Sequence, residues 1–384
     1  MSYQNDSIIE FLKTLISIPS QAGINNQMEI LEAVSSWFNK HDIKGKILFN
    51  RKKPVAFLCD IVTNKNYPTY CFNACLDTAP IGDINNWDSD PFVPKIDGNW
   101  LFGRGAADSK IAVSMFSHIA NELTNNSTSL KSNLSFLFDC DEHTGSFGGI
   151  KKYLQEHKDT KGFFIGYPGN YVIVSGGRGF LRMEITFFGI SQHTGDKNEA
   201  KENAIIKATK FIEKITALDL NQFTNKDFPL IPKITITKID GGYNYTVVPD
   251  KCTVHVDIRL TPDFEYECAN KTVKDIVNKV DEHFNSSKNA IIKTKDSWPA
   301  YYLQNDSYIL NTFKDIASKQ LGRVVDNKIC GPSNIGNLLA THKIEAICGF
   351  GVTYKNFHAA NECIDISSIT NIYDTYRNLA ISLS

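Results

Sequence analysis

Apolar residues at Ile8, Phe11, Leu12 and Leu15 return every three or four positions behind Asp6 or Ser7, which predicts a capped amphipathic helix that Pro19 stops. Met28, Leu31, Val34 and Phe38 repeat the pattern and predict a second helix. Then the pattern shortens. Val55–Cys59, Tyr70–Ala74 and Leu134–Phe138 are short, mostly apolar runs of strand length, as expected for buried strands. A helical segment from Asp108 to about Leu123 follows a Gly-rich turn. Strands alternating with helices predict an α/β fold with a largely parallel sheet covered by helices on both sides. Ligands in such sheets bind outside the carboxyl ends of the strands, where Cys75, Asp77 and Glu142 fall.

Beyond Gly176-Gly-Arg-Gly179 the order changes. A strand at Phe180–Phe188, a helix carrying Ile205, Ala208, Ile212 and Ile215, and strands at Lys233–Ile239 and Thr253–Leu260 follow one another. A helix through Val273, Ile276, Val277 and Val280, then a closing strand, completes an α+β module of the ferredoxin-like kind. It is placed at 178–293, inserted into a domain made of 1–177 and 294–384. Asn221–Asp227 reads as a loop; helices at Ile309–Ala317 and Ile369–Ile381 and a strand at Glu345–Cys348 return to the first style.

A chain of 384 residues exceeds what one core organises, which also argues for two domains. With 42% apolar and 22% charged residues the composition is that of a folded globular protein, not a disordered or fibrous one. Forty-one Lys plus Arg balance 42 Asp plus Glu, and no basic block stands out to hold a phosphate backbone, so nucleic acid is excluded as a partner. No apolar run approaches the ~20 residues that cross a bilayer, and MSYQNDSIIEF lacks the features of a signal peptide, so a cytoplasmic protein with no membrane partner is expected. The nine cysteines contain no C-x-x-C pair and read as reduced thiols.

Polar residues crowd at strand ends in four stretches: Cys75-Leu-Asp77-Thr-Ala-Pro80, Phe102-Gly-Arg-Gly-Ala-Ala-Asp108-Ser-Lys110, Asp141-Glu-His-Thr-Gly145 and Phe357-His358-Ala-Ala-Asn-Glu362. None has the short ligand spacing that establishes a metal site by itself. In order, however, these segments with Trp87–Phe92, Tyr167-Pro168 and Gly189–Ala204 resemble the signature set of the metallo-aminoacylase family, which includes acetylornithine deacetylase, succinyl-diaminopimelate desuccinylase and carboxypeptidase G. The resemblance implies a catalytic domain of the phosphorylase/hydrolase-like, zinc-exopeptidase type with the inserted module as lid and homodimerisation domain. It implies two zinc ions bridged by Asp108, one held further by positions 143 and 358, the other by positions 75 and 167. Glu142 corresponds to the general base, and Asp77 to the carboxylate that orients the first ligand. His193 resembles the lid histidine that polarises the substrate carbonyl, and Arg259 the arginine that grips a substrate carboxylate. Thr246 stands where the family has a substrate-binding Asn. Asn334, in a turn-like Gly331-Pro-Ser-Asn334, is a weaker substrate-contact candidate that reads first as a plain loop residue.

Three ligand positions depart from the family: Cys75 replaces His, His143 replaces Glu and Tyr167 replaces Glu. Asp108, His143 and His358 still make a two-histidine, one-carboxylate set, which suits one catalytic zinc, or cobalt or manganese in its place. Cys75 as thiolate is a competent ligand, but a phenol with an ordinary pKa near ~10 is a poor substitute for a carboxylate. The expectation is a metal-dependent amidohydrolase acting on N-acyl amino acids or small dipeptide-like amides. Two other readings stay open: a non-hydrolytic relative that binds a small acidic ligand or protein partner, and a thiol enzyme using Cys75 as nucleophile.

Overall fold

The computed structural model describes residues 3–125, 130–197 and 202–384. They form two compact units: Met1–Ser175 with Leu303–Lys328 and Lys343–Ser384, and Gly176–Tyr302 with Ile329–His342.

In the first unit the apolar runs become the centre of a mixed sheet. Asn133–Asp139, Thr69–Cys75, Thr160–Ile165 and Glu345–Gly349 lie side by side and parallel. Lys53–Ile61 and Lys46–Asn50 extend it antiparallel on one side, and Ile173–Gly177 does so on the other. Every residue of Asn133–Asp139 is buried, which is why four of its seven positions are Leu or Phe; its polar Asn133, Ser135 and Asp139 are buried as well. Helices Tyr3–Ile16, Met28–Lys40, Ile111–Asn125, Tyr308–Leu321 and Ile369–Ser382 pack their apolar stripes into the same core. Phe72 sits at its middle, with ring centroids 5.6, 5.4 and 5.1 Å from Phe116, Phe136 and Phe164.

The expected helix from Asp108 begins later, at Ile111. Asp108 and Ser109 have non-helical backbone (φ −120°, ψ 94° and φ −134°, ψ 39°) in a distorted turn, Ala106–Lys110, that follows Gly105 at φ +81°. Buried Lys110 anchors that turn, its Nζ donating to the carbonyls of Leu15 and Ile18 at 2.8 and 3.0 Å, where the first helix ends.

The second unit is a four-stranded antiparallel sheet in the order Lys233–Gly241, Lys251–Leu260, Gly179–Phe188, Ile291–Trp298. Buried positions alternate along Lys251–Leu260, and helices Ala204–Thr216 and Tyr266–His283 share the core with that face. This strand order and connectivity are ferredoxin-like. A boundary at 293 cuts the strand Ile291–Trp298; the unit instead runs to Tyr302 and takes in Ile329–His342. The loop expected at Asn221–Asp227 contains a 3₁₀ turn, Asn221–Phe223. Residues 198–201 of the Gly189–Ala204 motif lie outside the described residues.

Candidate metal centre

Three adjacent parallel strands deliver the site. Thr69–Cys75 ends in Cys75 with Asp77 just beyond it, Asn133–Asp139 leads into the turn holding Glu142 and His143, and Thr160–Ile165 is followed by Tyr167. A small second sheet supplies the rest. Trp100–Phe102 pairs with Cys363–Asp365, so the segments carrying Asp108 and His358 leave one ladder side by side.

Buried Glu362 fixes these segments to each other. Its Oε2 pairs with Arg104 Nη1 at 2.6 Å and accepts Gly105 N at 3.2 Å, while Oε1 accepts the backbone N–H of Ala107 and Asp108 at 2.8 and 3.2 Å. Arg104 Nη2 donates to the carbonyls of Pro80 and Ala359 at 3.2 and 3.1 Å. Two charges in a dry interior are costly unless every polar atom is used, and here nearly all are. His358, next to Ala359, is left-handed at φ +59°, a conformation that a non-glycine residue adopts at a cost of roughly 1–2 kcal/mol.

The result is a convergence on one oxygen. Asp108 Oδ2 lies 3.1 Å from His143 Nε2 and 2.9 Å from His358 Nε2. The His143 side chain is 9% exposed and that of His358 46%, so the cluster is buried on one side and open on the other. Behind it, Asp77 accepts Glu142 N at 3.3 Å and His143 N at 2.8 Å, and its Oδ2 stands 3.6 Å from His143 Nδ1. Burial pulls the His143 pKa down, but Asp108 and Asp77 outweigh it and push it up to about 11. Burial would likewise raise Asp108, yet the two imidazoles hold it well below the usual carboxylate range. Burial first and Asp108 second push Glu142 up to about 8. Tyr167 donates its hydroxyl to Glu142 Oε1, and Glu142 Oε2 is buried without a hydrogen-bond partner.

The donor set tests what the site can hold. Asp108, His143 and His358 each offer one ligand atom within a 4.8 Å cluster, and together they fit one divalent ion of the zinc kind. Cys75, Asp77 and His143 form a second such group. It is the poorer one. Both Asp77 oxygens already accept backbone N–H, and burial, then Glu142, Asp108 and Asp77, push the Cys75 thiol well above its ordinary range. The Cys75 thiol lies 3.2 Å from Ser109 Oγ and 3.7 Å from Asp108 Oδ1. That setting opposes a thiolate.

The remaining expected residues belong to the second unit. His193 is exposed and accepts Gly195 N on Nδ1 at 3.0 Å; the amide and hydroxyl of Thr246 both donate to Asn244 Oδ1 at 3.0 Å. Arg259 pairs with Asp257 at 2.8 Å and donates to Ser333 Oγ at 3.3 Å. Asn334 is the N-cap of the helix Ile335–Thr341, in a capping box with Asn337, rather than a plain loop residue. Sequence reasoning passed over Arg178. Its Nε is buried without a hydrogen-bond partner, and burial followed by the nearby Arg259 charge lowers its pKa. The available signal was an arginine between two glycines, Gly177 and Gly179.

A mixed α/β sheet beside whose parallel strand ends two imidazoles share one carboxylate next to a glutamate fits the class of metal-dependent hydrolases of amide or peptide bonds. The chain belongs to Peptidase family M20/M25/M40, whose family model matches residues 71–382. It is 28% identical over 389 residues to the succinyl-diaminopimelate desuccinylase of Buchnera aphidicola subsp. Acyrthosiphon pisum (strain APS), covering 98% of this chain and 99% of that protein. It is 24% identical to the enzyme of the same name from Rickettsia bellii (strain OSU 85-389), with 96% and 94% covered. Among solved structures, the aminopeptidase PepT from Bacillus cereus ATCC 10987 superposes with a TM-score of 0.81 at 17% identity, covering 98% of both chains. The Bacillus subtilis YXEP protein, a dinuclear metal-binding peptidase of the M20 family, does so at 0.73 and 18%, also covering 98% of both. These two likenesses concern the fold.

Proposed function

We propose that this protein is a zinc-dependent deacylase of N-acyl amino acids, using one ion held by Asp108, His143 and His358. The observation that carries the reading is the convergence of His143 and His358 on Asp108 Oδ2 at 3.1 and 2.9 Å. The desuccinylase relatives make N-succinyl amino acids the first substrates to test, with N-acetyl amino acids and dipeptides beside them.

A divalent ion bound there supplies Lewis acidity, lowering the pKa of water toward ~7 and polarising the amide carbonyl. Glu142 Oε2, the unpartnered oxygen, takes a proton from the attacking water as the new C–O bond forms. The same proton then passes to the leaving nitrogen as the C–N bond breaks, giving a carboxylic acid and a free amine. Asp77 fixes the turn that carries both Glu142 and His143. On the second unit, His193, Thr246 and Asn334 are proposed as polar substrate contacts, and Arg259 with Arg178 as the carboxylate grip. The protein is further read as a cytoplasmic homodimer paired through the second unit. The nine free cysteines accord with a reducing compartment, and no helix among the described residues is long and apolar enough to cross a membrane.

The test is zinc content per chain, with hydrolysis of an N-acyl amino acid panel, for wild type and His143→Ala. One zinc and turnover in the wild type, both lost in the variant, is expected. Protein that takes up no metal after supplementation and is inert on the panel would reject the reading, and selective binding of a small acid that persists in chelator would favour a non-hydrolytic ligand-binding role.

A further inference from the structure

Tyr167 follows the strand Thr160–Ile165 and is held there on both sides. Gly166 N donates to Asn73 O at 2.8 Å on the neighbouring strand, and the loop at Gly351 packs so closely that a Cβ there would stand 2.2 Å from Tyr167 O. The phenol is therefore presented by fixed backbone. A glutamate, by contrast, has three side-chain torsions to order. Of Glu142's two oxygens, one accepts the Tyr167 hydroxyl and the other is buried and free of partners.

The same hydroxyl bears on how many ions the centre holds. A second ion beside Asp108 needs donors from the side of the site where Cys75 and Tyr167 stand. Cys75 Sγ already contacts Ser109 Oγ at 3.2 Å, and the Tyr167 oxygen carries the proton it donates to Glu142. Neither residue presents an uncommitted anionic donor.

We propose that Tyr167 is a positioning residue of a one-ion centre: its phenol locks one oxygen of Glu142, aims the other at the reacting water, and occupies the place where a second ion would need a ligand. The proposal rests on Glu142 being the base of the proposed deacylase. Misplacing a catalytic group by about 1 Å is enough to cost on the order of 100-fold in rate, so a loss of about 10- to 100-fold is expected when the lock is removed.

The experiment compares wild type, Tyr167→Phe and Glu142→Gln, each loaded with zinc and dialysed. One zinc per chain is expected in the wild type and in Tyr167→Phe, with zinc Kd unchanged within about threefold; two per chain in the wild type would overturn the proposal. On the best substrate of the panel, Tyr167→Phe should lower kcat about 10- to 100-fold while KM stays within about threefold. An active wild type with an unchanged kcat in Tyr167→Phe would overturn the proposal and leave the deacylase reading standing. If the wild type binds one ion but turns over nothing on the panel, that reading fails, and the cobalt(II)-loaded proteins decide the role of Tyr167 without turnover. Visible bands that shift in Tyr167→Phe and shift the same way in Glu142→Gln support the lock; identical spectra in all three overturn it. A wild type with no ion would overturn both.

Discussion

Two buried histidines of the first unit meet opposite fates. His143 lies between Asp108 and Asp77, and although burial pulls its pKa down, the carboxylates carry it up to about 11. His118 lies beneath the helices, with Nδ1 against Ser114 O at 2.8 Å and Nε2 against Ser7 Oγ at 2.9 Å. Burial dominates there and pulls it down to about 4. Burial alone thus identifies neither a ligand nor a core residue; the charge of the partners does. His143 keeps a ring nitrogen aimed at an anionic oxygen beside a second imidazole, the arrangement a cation can replace a proton in. His118 has spent both nitrogens on neutral groups.

The sharpest break of this comparison is substitution of each ring. His143→Ala should empty the site and lower deacylase activity by roughly 10³-fold or more, since a Lewis acid supplies several kcal/mol of transition-state stabilisation. His118→Gln should keep its zinc. Elemental analysis of both variants checks the pair, and equal zinc loss in the two would refute the distinction. Glu142→Gln is expected to separate chemistry from binding: zinc content holds while kcat falls about 10²- to 10³-fold, the range of general-base catalysis.

The next effect concerns support of the ligands. Glu362 in the first unit and Glu202 in the second each form a buried ion pair, with Arg104 at 2.6 Å and with Lys207 at 2.5 Å. Glu362 also accepts the backbone N–H of Asp108, whereas Glu202 accepts that of Ser287. Removing either charge should destabilise its own unit by roughly 3–5 kcal/mol. Only Glu362→Gln should also weaken zinc binding, by about 10- to 100-fold, as losses behind the ligands do. Titration with a competing chelator separates the two; matched zinc affinities would show that the Glu362 network is purely structural.

How much of this was readable beforehand follows from locality. The central strands were legible because burial on both faces favours apolar residues over most of their length, as in Leu134–Phe138. The edge strand Lys46–Asn50 buries only Leu48 and left no pattern, and Ile173–Gly177 ends in two glycines that read as a break. Asp108 read as the start of a helix because nothing local shows that Glu362, 254 residues away, holds its non-helical backbone. The family pattern named positions 75, 143 and 167, but not that the phenol at 167 turns toward Glu142. That depends on Asn133–Asp139 and Thr160–Ile165 flanking the same strand, Thr69–Cys75, which periodicity along one strand does not encode.

The smallest effect belongs to His118 and is a matter of pH. Its folded-state pKa, about 4, lies below the ordinary value of 6.5, so folding favours the neutral ring. The stability this contributes is complete above about pH 6.5, where both states are neutral, and is lost as pH falls toward 4, where the unfolded chain binds a proton that the folded one refuses. Between pH 7 and pH 5 the loss is about 2 kcal/mol. His41 faces the same cluster, stacked on Trp37 at 4.0 Å, and its charge adds to the penalty on a protonated His118. Carboxylates and the other histidines titrate over the same window, so the wild type alone is not diagnostic. The difference between wild type and His118→Gln cancels those groups. The variant should be the less stable protein at pH 7, where a fitted imidazole is lost, and the gap should narrow by about 2 kcal/mol by pH 5 in equilibrium denaturation of the metal-free proteins. A gap independent of pH would mean that His118 binds its proton equally well folded and unfolded, and that its burial does not disfavour the charged ring.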